Sequence, residues 1–154
     1  MTQENKDLLL QDLCGRLPYG VKCSHPYGIG KLESIAKEEH GIDITFKTPD
    51  DNYYSIDDCK PYLFPLSSMT EEQKKEFKEI SKCKYEIGDY GGFDSEGVYL
   101  IEIGRYEYEY DINTTIEEFY FNHEIINWLN ANHFDYRGLI EKDLAIDCTN
   151  LNIY

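Results

Sequence analysis

The sequence has little positive charge for its size. Its 15 Lys and Arg residues are outnumbered by 30 Asp and Glu residues, which gives a formal net charge of −15. Nonspecific binding to DNA or RNA needs Lys and Arg to displace counterions from phosphates. A negative field over the whole molecule repels nucleic acids and anionic membranes. We therefore expect neither direct nucleic-acid binding nor membrane attachment, and the charge indicates either solubility alone or a basic partner.

Membrane and export signals are also missing. No apolar run approaches the 18 residues that a membrane-spanning helix needs, and residues 1–7 are polar rather than basic and then apolar. The five cysteines are odd in number and none forms a Cys-x-x-Cys motif: Cys14, Cys23, Cys59, Cys83 and Cys148. We expect free thiols that fill space in a reducing cytoplasm, with zinc possible only if scattered Cys and His residues converge.

Established catalytic motifs are absent. There is no Gly-x-Ser-x-Gly and no His-Glu-x-x-His. Gly28-x-Gly30 lacks the third glycine and the Lys-Ser/Thr pair of a phosphate-binding loop. His123 and His133 are ten residues apart, so they cannot form the i, i+4 metal pair of a helix. The sequence therefore assigns no catalytic residue, no metal and no cofactor.

The chain does contain enough apolar residues for a packed core. Of 154 residues, 41% are apolar, including 14 Tyr and 7 Phe. A chain of this length buries roughly 70% of its unfolded surface. We predict one compact α+β domain, with a division into two lobes as the alternative: a β-rich lobe over 1–66 and an α+β lobe over 67–154.

The first lobe begins with a predicted helix over 5–14, capped by Asn5 and ended by Gly15. Between 19 and 63, apolar alternation and turn residues predict four short strands in a small antiparallel sheet or partial barrel. The clearest of these strands places Ile42, Ile44 and Phe46 on its inner face. Residues 61–66 are interpreted as a stiff, packed connector.

The second lobe begins with a capping box, Thr70-x-x-Gln73, that starts a surface helix. We expect Glu71 and Lys75 to pair on this helix. Residues 88–97 are interpreted as loops, and 98–111 as a hairpin. A last helix over 123–132 has a wide apolar face that would pack against this second antiparallel sheet.

The best candidate site follows that helix and contains His133, Asp135, Tyr136 and Arg137. If the segment is extended, His133, Asp135 and Arg137 share one face. A His held by a carboxylate could act as a base, and an Arg could bind an anion. In the structural alternative Arg137 pairs with an acid, Asp135 caps the turn at Gly138, and a positive His133 suits the helix end.

A second candidate surface is an acidic strand in the predicted hairpin. Strict alternation over 106–111 would place three tyrosines on one face and Glu107, Glu109 and Asp111 on the other. Carboxylates two residues apart on a strand lie roughly 6–7 Å from each other, much like phosphates along a nucleic acid. The face could therefore mimic DNA and occupy a nucleic-acid-binding protein, or it could be an ordinary solvated face.

Three long stretches, over 6–21, 58–72 and 128–140, together resemble a family of small uncharacterised proteins from gut Bacteroides-type bacteria, their phages and mobile elements. The stretches cover about a third of the chain, and Asp143 stands where such proteins are expected to have Gly. The resemblance implies a cytoplasmic accessory protein of a phage or mobile element. It implies no activity and no catalytic residue.

Three hypotheses for the function remain open. The first is a non-enzymatic protein that binds a host or phage protein, for example a nucleic-acid-binding one, with binding that weakens in salt. The second is a small-molecule binder, for example of a nucleotide signal, which needs Arg16, Arg105 or Arg137 in an aromatic pocket. The third is a small hydrolase that uses His133. A magnesium site on Glu141, Asp143 and Asp147 is the weakest alternative.

Overall fold

The protein has an α+β fold in the computed structural model, which describes residues 1–39, 41–47, 53–82, 91–93, 99–101 and 123–154. A seven-stranded sheet carries helix α1 (Gln3–Arg16) on one side, and two further helices are α2 (Glu71–Lys82) and α3 (His123–Ala131). Within the described residues, no helix is long and apolar enough to span a membrane.

Helix α1 is longer than predicted at both ends. Thr2, not Asn5, is its N-cap, because the Thr2 hydroxyl accepts a hydrogen bond from the Asn5 N–H. Gly15 lies inside the helix, and the chain leaves it through a short 3-10 turn over Leu17–Tyr19. The turn ends at Gly20, whose φ of 66° is left-handed. The prediction that Gly15 ends the helix is wrong.

The four predicted strands form an antiparallel meander, as expected. They are β1 (Lys22–His25), β2 (Gly28–Glu38), β3 (Gly41–Lys47) and β4 (Tyr53–Ser55). Ile44 and Phe46 are buried, and the half-buried Ile42 packs against the same core. A bulge in β2 at Glu33 shifts the register with β3.

Residues 61–66 are more than a connector. Strand β5 (Lys60–Pro65) pairs antiparallel with β1 on one edge, and parallel with β8 (Phe134–Asp135) and β9 (Ile146–Asp147) on the other. The sheet is therefore mixed, and it joins the two stretches assigned to separate lobes. One apolar cluster combines α1, the meander and Leu139, Leu144 and Ala145. The second combines α2, α3 and the segment after α3.

Helix α2 begins with the predicted capping box. The Thr70 hydroxyl accepts from the Gln73 N–H, and the Gln73 side chain accepts from the Thr70 N–H. Glu71 pairs with Lys74 at 2.7 Å, so the expected pair with Lys75 is wrong. Phe77 is buried among the side chains of α2 and α3.

Two further strands, β6 (Gly91–Phe93) and β7 (Tyr99–Ile101), pair antiparallel. Strand β7 coincides with the first strand of the predicted hairpin over 98–111. The prediction that 88–97 forms only loops is wrong, because Gly91–Phe93 forms β6. The remainder of the predicted hairpin lies outside the described residues.

Candidate functional site

The segment from His133 to Arg137 starts at the end of α3. His133 has a left-handed φ of 58°, which terminates the helix. Its carbonyl accepts a hydrogen bond from the Phe64 N–H at 2.9 Å and so brings the chain alongside β5. The segment is therefore not extended at His133. The extended arrangement that would place His133, Asp135 and Arg137 on one face is not formed.

Asp135 closes the turn that follows. Its carboxylate accepts hydrogen bonds from the backbone N–H groups of Arg137, Leu139 and Ile140, at 3.3, 3.0 and 2.8 Å. Gly138 completes the turn with a φ of 68°. This geometry confirms the structural alternative for Asp135. A carboxylate that accepts three backbone donors is committed to holding the turn.

A buried ion pair between Asp12 and Arg16 anchors this segment to α1. Arg16 donates to the Asp12 carboxylate at 2.7 and 3.0 Å and to the Phe134 carbonyl at 2.7 Å. Both side chains are 0% exposed. An Asp and an Arg four residues apart on a helix usually form a surface pair. The signal was present in the sequence, but burial of the pair required the fold.

Tyr136 and Arg137 complete the same cluster. The Tyr136 hydroxyl donates to Asn130 at 3.1 Å, and the Arg137 guanidinium lies 4.9 Å from the centre of the Tyr136 ring. Arg137 also approaches Asp12 at 3.5 Å and donates to Gln11 at 3.1 Å. The expectation that Arg137 pairs with an acid is therefore confirmed.

The electrostatics of His133 oppose a role as a base. Burial, with Arg16 and Lys22 adding to it, lowers the pKa of His133 from 6.5 to about 4. The imidazole stacks on the Tyr154 ring, with ring centres 4.0 Å apart. His133 is thus neutral at neutral pH, and the interpretation of a positive His133 at the helix end is wrong. A group with so low a pKa is a weak general base.

Three buried thiols, those of Cys23, Cys59 and Cys148, are also held in an unreactive form. Burial, assisted by Cys59 and Asp12, raises the pKa of Cys23 well above its ordinary value. Burial together with a neighbouring Asp raises the pKa of Cys59 to about 12 and that of Cys148 to about 11. Because the thiolate is the nucleophile and the metal ligand, these buried thiols match the expected space-filling role.

The remaining candidates do not come together in the part of the chain described. Asp143 pairs with Lys60 at 2.7 Å, and Asp147 accepts from the Thr149 N–H at 2.8 Å. No group of three metal-ligating side chains is found among these residues. Asp143 has a φ of 57°, consistent with the Gly expected there. Four predicted site residues lie outside the described residues: Arg105, Glu107, Glu109 and Asp111.

Comparison with known proteins adds no relative. No family model, curated protein or solved structure matches this chain.

Proposed function

We propose that the protein is a non-enzymatic interaction protein that binds a basic partner protein in the cytoplasm. The observation that carries this proposal is the placement of its acids. Among the described carboxylates, only those of Asp12 and Asp135 are buried. The others lie at least partly at the surface, where a net charge of −15 acts on an approaching partner.

The chemistry of the best candidate site supports the same class of function. His133 is neutral and buried, Asp135 holds a turn, and Arg16 is paired with Asp12. These are the roles of a structural cluster, and they disfavour a hydrolase that uses His133. The resemblance to proteins of gut bacteria and their mobile elements suggests that the partner belongs to the host or to a phage.

The proposed contact is the acidic segment with Glu107, Glu109 and Asp111. The alternating spacing of these carboxylates in the sequence favours a nucleic-acid-binding protein as the partner. The test is affinity capture of the tagged protein from nuclease-treated host lysate, washed at low and then at high salt. Bound proteins are identified by mass. We expect a basic protein that is released at high salt, because opposite charges at exposed surfaces are screened.

A matched pair of variants locates the contact. The first replaces Glu107 and Glu109 by Gln and Asp111 by Asn, and the second replaces exposed Glu72, Glu76 and Glu141 by Gln. Both remove three negative charges. Loss of the partner in the first variant alone supports the acidic segment. If both variants retain the partner equally, the acidic segment is not the contact. If the unaltered protein captures no basic protein, the proposed function is wrong.

A further inference from the structure

Three lysines lie in one row across the meander. Lys22 of β1 is directly opposite Lys31 of β2, and Lys31 is directly opposite Lys47 of β3. Directly opposed residues of antiparallel strands point to the same face, about 5 Å apart. The neighbours of these lysines along each strand, Cys23, Leu32 and Phe46, are buried in the core. The row therefore lies on the outer side of the sheet, where Lys31 and Lys47 are exposed and Lys22 is half-buried.

Within the described residues, no carboxylate pairs with the lysines of this row. Lys31 and Lys47 are exposed and form no ion pair within the described part of the chain, and neither does Glu33 in the adjacent bulge. Like charges placed directly opposite each other destabilise a sheet. In a protein with twice as many acids as bases, three lysines in one row form a candidate site for an anion.

The local structure holds the Lys22 ammonium and places the Lys31 side chain beside Gly20. The Lys22 ammonium donates to the Ile153 carbonyl and lies 5.7 Å from the centre of the Tyr154 ring. The Lys31 side chain lies against Gly20, where an added Cβ would be 2.1 Å from Lys31 Cε and 2.6 Å from Lys31 Nζ. Because Gly20 has no side chain, the Lys31 side chain can lie in this space, close to the start of β1.

An exposed aromatic ring flanks the row at its β4 end. Tyr53 is directly opposite Thr45, and so lies on the same outer face, diagonally adjacent to Lys47. Diagonal neighbours of this kind are about 7–8 Å apart. The Tyr53 ring is 71% exposed, and Ile29, two residues before Lys31 in β2, is 50% exposed. The outer face thus combines a row of lysines with an exposed aromatic ring.

We propose that this face binds a nucleotide, with its phosphates on Lys22, Lys31 and Lys47 and its base against Tyr53. Lysine is a common phosphate ligand, and bases stack on exposed aromatic side chains. The diagonal separation between Tyr53 and Lys47 leaves room for a ribose between base and phosphates. Arg16 and Arg137, expected to form such a site, are instead engaged by Asp12.

The overall charge favours a compact anion over a polymer. Interactions between exposed charges decay over about 8–10 Å at physiological salt, so a nucleotide held within the row is attracted mainly by its three lysines. A longer polyanion extends beyond the row and meets the acidic remainder of the surface. This site uses none of the residues of the proposed contact with a basic protein, and its test does not depend on that proposal.

The test is a fluorescence titration of the full chain with ATP labelled on its ribose, at low salt. The variant Lys31→Gln/Lys47→Gln removes two charges of the row. The control Lys75→Gln/Lys142→Gln removes two exposed charges elsewhere. We expect saturable binding that weakens about tenfold or more in the row variant and stays unchanged in the control, because only the first variant removes phosphate contacts.

Thermal unfolding of both variants separates binding from folding. We expect the row variant to melt no lower than the unaltered protein, since the substitution relieves repulsion between opposed lysines. Unlabelled ATP should compete better than inorganic triphosphate, and Tyr53→Ala should abolish that difference. The proposal is overturned by absence of saturable binding, by equal binding in both double variants, or by tighter binding of a single-stranded oligonucleotide than of ATP.

Discussion

At the scale of single residues, Asp135 illustrates how one side chain can determine a local path. Its carboxylate satisfies three backbone N–H groups, including that of the fully buried Leu139. A buried N–H without a partner costs roughly 1–3 kcal/mol. The turn from β8 into the core therefore depends on this carboxylate.

We predict that Asp135→Ala lowers the free energy of unfolding by about 2 kcal/mol or more, because buried donors lose their acceptor. Asp147→Ala is the matched control. Asp147 accepts similar hydrogen bonds from Thr149, but at an exposed site where water replaces it, so we expect a change within about 0.5 kcal/mol. Urea unfolding of both variants measures the difference, and equal losses would contradict the role assigned to Asp135.

The buried pair of Asp12 and Arg16 leads to a prediction of coupling. Removing one partner of a buried ion pair leaves an unpaired charge and costs about 3–5 kcal/mol, whereas removing both costs much less. We expect Arg16→Met and Asp12→Leu each to be strongly destabilising, and the double variant to be destabilised by far less than their sum. Additive losses in a double-mutant cycle of urea midpoints would show that the pair is not coupled.

At the scale of elements, α2 is the helix whose start depends most clearly on its own sequence. The hydrogen bonds between Thr70 and Gln73 close the capping box locally, without help from another element. The helix then presents Phe77 to Trp128, with ring centres 5.4 Å apart. The cap therefore fixes where the helix begins, and one apolar residue fixes which side of it is buried.

We predict that Thr70→Ala destabilises the first turn of α2 by about 1 kcal/mol, since the Gln73 N–H loses its acceptor. Thr70→Ser retains the hydroxyl and is the control. Hydrogen exchange measures the effect at the Lys74 amide, which donates to the Thr70 carbonyl at 2.9 Å. Faster exchange in the Ala variant alone supports the capping box, and unchanged exchange contradicts it.

At the scale of the whole molecule, His133 makes stability depend on pH. Its pKa is about 4 when folded and near 6.5 when unfolded, so the unfolded chain binds more protons between those values. The contribution of His133 to the free energy of unfolding is complete above pH 6.5. It is lost as the pH falls toward 4, by up to about 1.4 kcal/mol per pH unit.

We expect the protein to lose stability relative to a His133→Asn variant between about pH 7 and about pH 5, because only the unaltered protein must charge a buried group. Asn tolerates the left-handed backbone at this position. Comparing the change in urea midpoint between the two proteins cancels the groups they share. Parallel pH profiles would contradict a lowered pKa at His133.

The sequence by itself determined the helix start, buried faces and turn that depend on residues close together in the chain. Alternation at Ile42, Ile44 and Phe46 identified β3, and the Thr70–Gln73 spacing identified the start of α2. Trp128 and Leu129 identified the buried face of α3, and both are buried. Turn chemistry placed Asp135 and Gly138 correctly. The α+β class followed from these local patterns, because periodicity and caps act within a few residues.

Only the tertiary structure decided what depends on residues far apart in the chain. Strand β5 acquired three partners, from β1, β8 and β9, because its backbone groups needed them once buried. Arg16 is buried where the Phe134 carbonyl, 118 residues away, adds a hydrogen bond to those from Asp12. The row of Lys22, Lys31 and Lys47 arises from strand register, which sets residues opposite each other across long separations in sequence.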